Sequence, residues 1–212
     1  MRGEGETYCT GRLKRGLDFV LSLLALALLS PLFLILALAV AACSGRPILF
    51  RQDRIGLGGH SFRLLKFRTM RSGAERGLLM TGTGDPRVTG LGRFLRRSKL
   101  DELPQLINVL RGDMSLVGPR PEVPRYVALY TEEQREVLRV RPGLTDPATV
   151  LFRDEETLLG AVEETRREAY YVHEVLPRKL ALNLKYVKEA GLLYDLRLIA
   201  DTIRAVLLPS SS

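Results

Sequence analysis

Tryptophan is absent from the 212 residues, and histidine and cysteine occur twice each. His60 and His173 are far apart and unaccompanied, so neither is expected to ligate a metal. Cys9 lies in an N-terminal arm and Cys43 at the end of an apolar run, which excludes a disulfide framework and fits a reducing compartment. Aromatic residues make up only 7%, and just Phe62 and Phe67 sit among the cations of the basic middle stretch. With no zinc-finger, RRM or KH signature either, nucleic acid is the weakest partner to propose. Repeats, low-complexity tracts and an obvious linker are lacking. So is charge of either sign from Phe19 to Cys43.

Those twenty-five uncharged residues are interrupted only by Ser22, Ser30 and Pro31, and they are long enough to cross a bilayer core. They are too long for a signal peptide and lead straight into basic chain. Pro31 removes a backbone donor and predicts a kink, and the Ser30 hydroxyl can bond a carbonyl one turn back. Basic residues stand on both sides: Arg12, Lys14 and Arg15 before the run, Arg46, Arg51 and Arg54 after it. The positive-inside rule then puts both ends in the cytoplasm. A re-entrant hairpin broken at Ser30-Pro31 satisfies both signals better than a straight span. Residues 1–45 are thus read as arm and re-entrant membrane helix, and 46–212 as a domain on the cytoplasmic face.

The formal net charge of +8 is unevenly spread. Residues 44–99 hold thirteen basic and three acidic side chains, while the regions before and after them are near neutral. Such a stretch suits anionic lipid headgroups or phosphorylated small molecules. Residues 48–52 and 62–67 read as two strands joined by the Gly56–Gly59 turn. Residues 72–90 read as loop. A basic amphipathic helix is expected over 91–110, suited to a membrane interface, with a break at Pro104 that leaves Asp101 and Glu102 near a helix terminus. Thr131–Gln134 is a capping-box start for a helix ending before Pro142. Further helices are expected over 155–176, from Pro177 to about Gly191, and from Asp195 to Leu208, stopped by Pro209. The fold class is α+β, mainly helical, with a small β-hairpin, a re-entrant membrane helix hairpin and amphipathic interfacial helices. Tyr170-Tyr171 reads as packing and Asp113 as a turn residue.

The chemistry concentrates in residues 98–122. An adjacent Asp101-Glu102 pair follows a dense arginine cluster. Downstream, Gly118-Pro119-Arg120-Pro121 holds one guanidinium between two prolines, which restrict the backbone and pre-aim Arg120 for a bidentate phosphate contact. Two neighbouring carboxylates can hold Mg²⁺, which commonly bridges a diphosphate. From residues alone, a membrane-anchored phosphohydrolase and a non-catalytic basic scaffold remain open beside a transferase.

This block, with Lys66-Phe67-Arg68-Thr69-Met70 before it and Arg141-Pro142-Gly143-Leu144-Thr145 after it, resembles the bacterial sugar transferase family, the monotopic phosphoglycosyl transferases, from about Lys14 to Leu207. The resemblance is to the minimal form, without the extra N-terminal membrane helices of larger members. It implies that Asp101 attacks the β-phosphate of a UDP-sugar, releasing UMP, and that polyprenyl (undecaprenyl) phosphate then takes the phosphosugar. Glu102 is implied as general base or as a partner of Asp101 in holding Mg²⁺. Lys66, Arg68, Arg96, Pro119, Arg120 and Pro121 are implied to bind phosphate or nucleotide. The implied setting is the bacterial inner membrane, in a first membrane step of surface glycan synthesis such as exopolysaccharide assembly. Anionic lipids are expected partners, and self-association is left open. Where many members continue Gly-Leu-Ala-Gln-Val after Thr145, this chain has Asp146-Pro147-Ala148-Thr149-Val150.

Overall fold

The uncharged run folds as one helix. The computed structural model describes residues 3–71, 73, 82, 84–152 and 155–207. In it, α1 (Glu4–Thr10) is followed by α2 (Arg12–Ser44), about 50 Å long at 1.5 Å per residue. α2 is long and apolar enough to cross a membrane. It runs through Pro31 without dividing in two, and the Ser30 hydroxyl donates to the Ala27 carbonyl at 2.9 Å, the local bond its position predicts. Lys14, Asp18, Ser22, Leu36 and Val40 are buried, whereas Leu24, Leu28, Leu34 and Leu38 are exposed. The buried residues fall on one face at helical spacing.

Both ends of that face rest on the rest of the chain. Near the start, Arg15 donates to the carbonyls of Val109 and Leu110 at 2.6 and 2.8 Å, and Asp18 accepts from the Leu116 amide at 3.1 Å. Lys14 pairs with Asp195, which also accepts from Tyr8 at 3.0 Å and Tyr186 at 2.7 Å. Near the end, Leu36 and Val40 pack with Phe67 and Leu95, and the Phe33 and Phe67 rings lie 4.9 Å apart.

β1 (Leu49–Ile55) and β2 (Ser61–Phe67) form the expected antiparallel hairpin, with Leu49 opposite Phe67 and Ile55 opposite Ser61. The expected 91–110 helix is interrupted. α3 (Gly90–Arg97), capped by the Thr89 hydroxyl, ends before Lys99, whose backbone is left-handed at φ 56°. A single 3₁₀ turn, Leu100–Glu102, then carries the carboxylate pair, and Pro104 leads into α4 (Gln105–Arg111). Pro104 behaves as expected, but the principal break falls earlier, at a residue type that gives no warning of it.

β3 (Ser115–Val117) and β4 (Gly143–Thr145) form a two-stranded parallel pair that the sequence pattern did not reveal. α5 (Pro124–Val127) follows β3. The capping box forms as expected, the Thr131 amide donating to Gln134 Oε1 at 3.0 Å and the Gln134 amide to the Thr131 hydroxyl at 3.2 Å, but its helix is the 3₁₀ segment Gln134–Arg139. After α6 (Pro147–Leu151), the single helix expected over 155–176 is three pieces: α7 (Glu155–Gly160), α8 (Glu164–Tyr170) and a wide π-turn at Tyr171–Val175. α7 ends at Gly160, and the missing donor of Pro177 accommodates the wide turn. α9 (Leu176–Glu189) and α10 (Leu192–Leu207) complete the chain, α10 starting one residue after Gly191 rather than at Asp195. Pro209 and most of 72–83 lie outside the described residues. The main core joins Tyr126, Val127, Tyr171, Val175, Leu176 and Leu180, so Tyr171 is packing as expected.

Candidate active site

A cleft of about 280 Å³ opens between the hairpin, the 3₁₀ turn and α6, α7 and α9. It is lined by Asp101, Glu102, Lys66, Arg68, Arg96 and Arg120, which brings together every charged residue that the sequence assigned to the site. Pro119 and Pro121 flank Arg120 and border a small hollow behind it rather than the cleft. Ser30 and Pro31 belong to α2 and take no part in the cleft.

Local structure explains how each group arrives. Successive side chains on β2 face opposite ways, and Lys66 reaches the cleft edge while Phe67 is buried against α2. Gly92 lets α3 press against the end of β2: a Cβ there would meet the Thr69 carbonyl at 2.0 Å. That contact lets Arg96 donate to the Thr69 hydroxyl at 2.9 Å. The Pro119–Pro121 turn is pinned by β4, where the Gly143 amide donates to the Pro119 carbonyl at 2.9 Å and the Gly118 amide to Thr145 at 3.0 Å. A Cβ on Gly143 would lie 2.1 Å from the Gly118 nitrogen, so only glycine permits this approach. From β1, Arg54 donates to the Pro121 carbonyl at 3.0 Å and contacts Glu122 at 3.3 Å.

The two carboxylates are adjacent and buried, yet their surroundings differ. Glu102 Oε1 accepts from Lys66 at 2.8 Å and from Arg120. Burial would raise its pKa, but Arg120 and Lys66 outweigh that and hold it well below the usual range. The same pair raises Arg120, through the Glu102 charge first. Asp101 makes no hydrogen bond or ion pair with any described residue. Burial pushes its carboxyl up to about 6; Lys66 opposes this, and the Glu102 charge adds to it. Two neighbouring acids pushed in opposite directions mark a site with divided roles.

Several lining groups were given no role in the site from the sequence: Arg87, Glu155 and Lys179, Lys99 and Glu122 within the 98–122 block, and Thr149 in the 146–150 departure. Glu155 pairs with Lys179 at 2.8 Å, and Glu156 with Arg96 at 2.9 Å. Arg87, Glu155, Glu156 and Lys179 come from distant stretches whose only signal is charge, which is common everywhere on a surface. Asp146, at the departure from the common pattern, is fully buried and caps α6 by accepting from the Thr149 amide at 2.7 Å. Among the described residues no cluster of three or more His, Cys, Asp or Glu forms a ready-made metal cage.

The description "bacterial sugar transferase" fits a family that matches residues 9–209. The chain is 41% identical over 207 residues to a UDP-glucose:undecaprenyl-phosphate glucose-1-phosphate transferase of Caulobacter vibrioides, covering 92% of this chain and 69% of the relative. It is 36% identical over 200 residues to the protein of the same name from Escherichia coli, covering 90% of this chain but 39% of that longer relative. It is also 37% identical to the exopolysaccharide production protein ExoY of Sinorhizobium fredii, covering 94% of this chain and 87% of the relative.

Proposed function

The chain belongs to the bacterial sugar transferase family, and from that premise we propose that it is an enzyme transferring a sugar 1-phosphate from a UDP-sugar to undecaprenyl phosphate, with UMP released. The relatives' names supply the nucleotide-sugar and the lipid. The observation that carries the mechanism is the contrast between the carboxylates: Asp101 is unpaired at the cleft wall, while Glu102 is clamped by two cations. An Asp101 oxygen attacks the β-phosphorus. The bond to the bridging oxygen breaks, UMP leaves with the electron pair, and the phosphosugar is held on the Asp101 carboxylate. An oxygen of the lipid phosphate then attacks the same phosphorus, and the carboxylate departs to give the polyprenyl diphosphate sugar.

Of the two roles expected for Glu102, its setting favours holding charge over accepting a proton, because a carboxylate kept well below its usual range is a poor base. It fixes Lys66 and Arg120 beside the reacting phosphorus, where positive charge offsets the crowded oxygens. The adjacent carboxylates fit Mg²⁺: Asp101 and Glu102 would hold it, and it would supply positive charge to offset the diphosphate.

The packing of α2 supports the membrane placement we propose. A bilayer core is about 30 Å thick, and a helix that crossed it would leave its ends on opposite sides. Here Arg15 and Asp18 at one end and Leu36 and Val40 at the other pack on the same body. This favours a helix that dips into the inner membrane and returns, with the catalytic cleft on the cytoplasmic face. A cysteine added near residue 5 should stay unlabelled from outside intact cells.

The test of the chemistry incubates the protein with a panel of UDP-sugars and Mg²⁺ but no lipid. Intact-protein mass spectrometry should show one added sugar phosphate, mapped to Asp101. No adduct, together with intersecting lines in two-substrate kinetics, refutes the covalent step and leaves direct attack by the lipid phosphate.

A further inference from the structure

Lys99 is the one non-glycine residue described whose φ is positive, at 56°. An L side chain there crowds the following carbonyl, and such residues persist chiefly at functional sites. Glycine would make the same turn without that crowding. The turn ends α3 and sets up the segment bearing the carboxylates: the Glu102 amide donates to the Lys99 carbonyl at 3.1 Å.

The Lys99 side chain lines the cleft. Arg54, Lys66, Arg87, Arg96, Arg120 and Lys179 also line it, and each lies within salt-bridge distance of a carboxylate. Lys99 forms no hydrogen bond through its ammonium and no ion pair with any described residue. Its field nevertheless reaches Asp101 and Glu102, favouring the charged form of both. Arg68 also lines the cleft and donates to the Arg46 carbonyl at 3.3 Å. A diphosphate entering there meets cations already engaged by the protein, and at Lys99 an ammonium without a partner among the described residues.

We propose that Lys99 contacts the substrate, its strained backbone holding an uncommitted ammonium where the diphosphate of the UDP-sugar binds beside Asp101. The inference rests on the transferase reading and deepens it. It separates two roles that a lysine in such a turn could have: making the turn, or supplying the charge.

Lys99→Gly and Lys99→Asn keep the turn and remove the charge, since both residues tolerate this conformation. Both should melt no lower than wild type, yet raise KM for the UDP-sugar by about tenfold or more, the loss of one charge-assisted phosphate contact. Lys99→Arg should stay nearest to wild type. Gly and Asn variants with wild-type KM and kcat overturn the proposal. A second measurement needs no variant: amine acetylation of the wild-type protein, read by peptide mass spectrometry, should slow at Lys99 when UDP and Mg²⁺ are added. An unchanged rate at Lys99 overturns the proposal even if turnover is normal. A wild-type protein that releases no UMP from any UDP-sugar, with Lys99 still protected by UDP, sinks the transferase reading instead.

Discussion

Replacing Asp101 by Asn should abolish turnover and make the protein more stable. Burial moves the carboxyl from the ordinary 3.8 to about 6. Between those values the native state keeps a proton that the unfolded chain has released, so this group's contribution to stability falls as pH rises through that window and stays low above it. The displacement corresponds to about 3 kcal/mol at neutral pH. Asparagine has nearly the shape of the protonated acid and never takes the charge. The variant should therefore exceed wild type by about 3 kcal/mol at pH 7.5 and by about half that at pH 5. At about 2–4 °C per kcal/mol for a chain of this size, melting temperatures should differ by about 6–12 °C at neutral pH. The assay is a thermal melt of both proteins in lipid nanodiscs at the two pH values, with EDTA present so that no divalent cation shields the carboxylate. Glu102→Gln provides the opposite control. It strands Lys66 and Arg120, so it should cost about 3 kcal/mol or more. Because Glu102 is held low, its stabilisation is present at neutral pH and is lost only as pH falls through its depressed pKa. An Asp101→Asn variant that melts at or below wild type at pH 7.5, or a gap that does not narrow toward pH 5, refutes the claim that Asp101 is held charged at a cost.

The same carboxyl sets a kinetic expectation: single-turnover adduct formation should rise with pH through about 6 and level off, as ionised Asp101 accumulates. Asn108→Ala should lower stability by about 2–4 kcal/mol in urea unfolding, because this fully buried side chain accepts from the Leu65 amide at 3.0 Å and donates to the Arg63 carbonyl and Asp113 at 2.8 and 3.0 Å. Ser30→Ala with Pro31→Leu should straighten α2 enough to move a cysteine near residue 5 to the outer face, read by labelling of intact cells.

What the sequence made legible was whatever has a local cause. The hairpin followed from two strand patterns around Gly56–Gly59, and the capping box from Thr131 and Gln134. The charged members of the site, Lys66, Arg68, Arg96, Asp101, Glu102 and Arg120, do share one cleft. What stayed hidden depends on contacts between distant segments. The parallel pairing of Ser115–Val117 with Gly143–Thr145 rests on two three-residue strands, too short for a period to show. The left-handed turn at Lys99 gives no compositional signal, because glycine or asparagine is the usual mark of that conformation. Pro177 does signal an irregularity, but whether it starts a helix or follows a wide turn within one is decided by the packing of Tyr171 and Val175 in the core.

The membrane helix forms part of the cleft's support and is more than a tether. Phe67 is 1% exposed because Phe33, Leu36 and Val40 cover it. On either side of it in sequence, Lys66 and Arg68 line the cleft. Leu95 packs on the same helical face and is followed by Arg96, another cleft cation. The cations that would meet a lipid phosphate thus stand one residue from side chains seated on α2. If the acceptor keeps its apolar chain in the bilayer, its phosphate enters at a depth fixed by that packing. A fragment beginning after Ser44 would uncover Phe67 and Leu95 and unseat their cationic neighbours. Losing the anchor would then disturb phosphate binding itself, even in detergent, where docking to a membrane is no longer at issue.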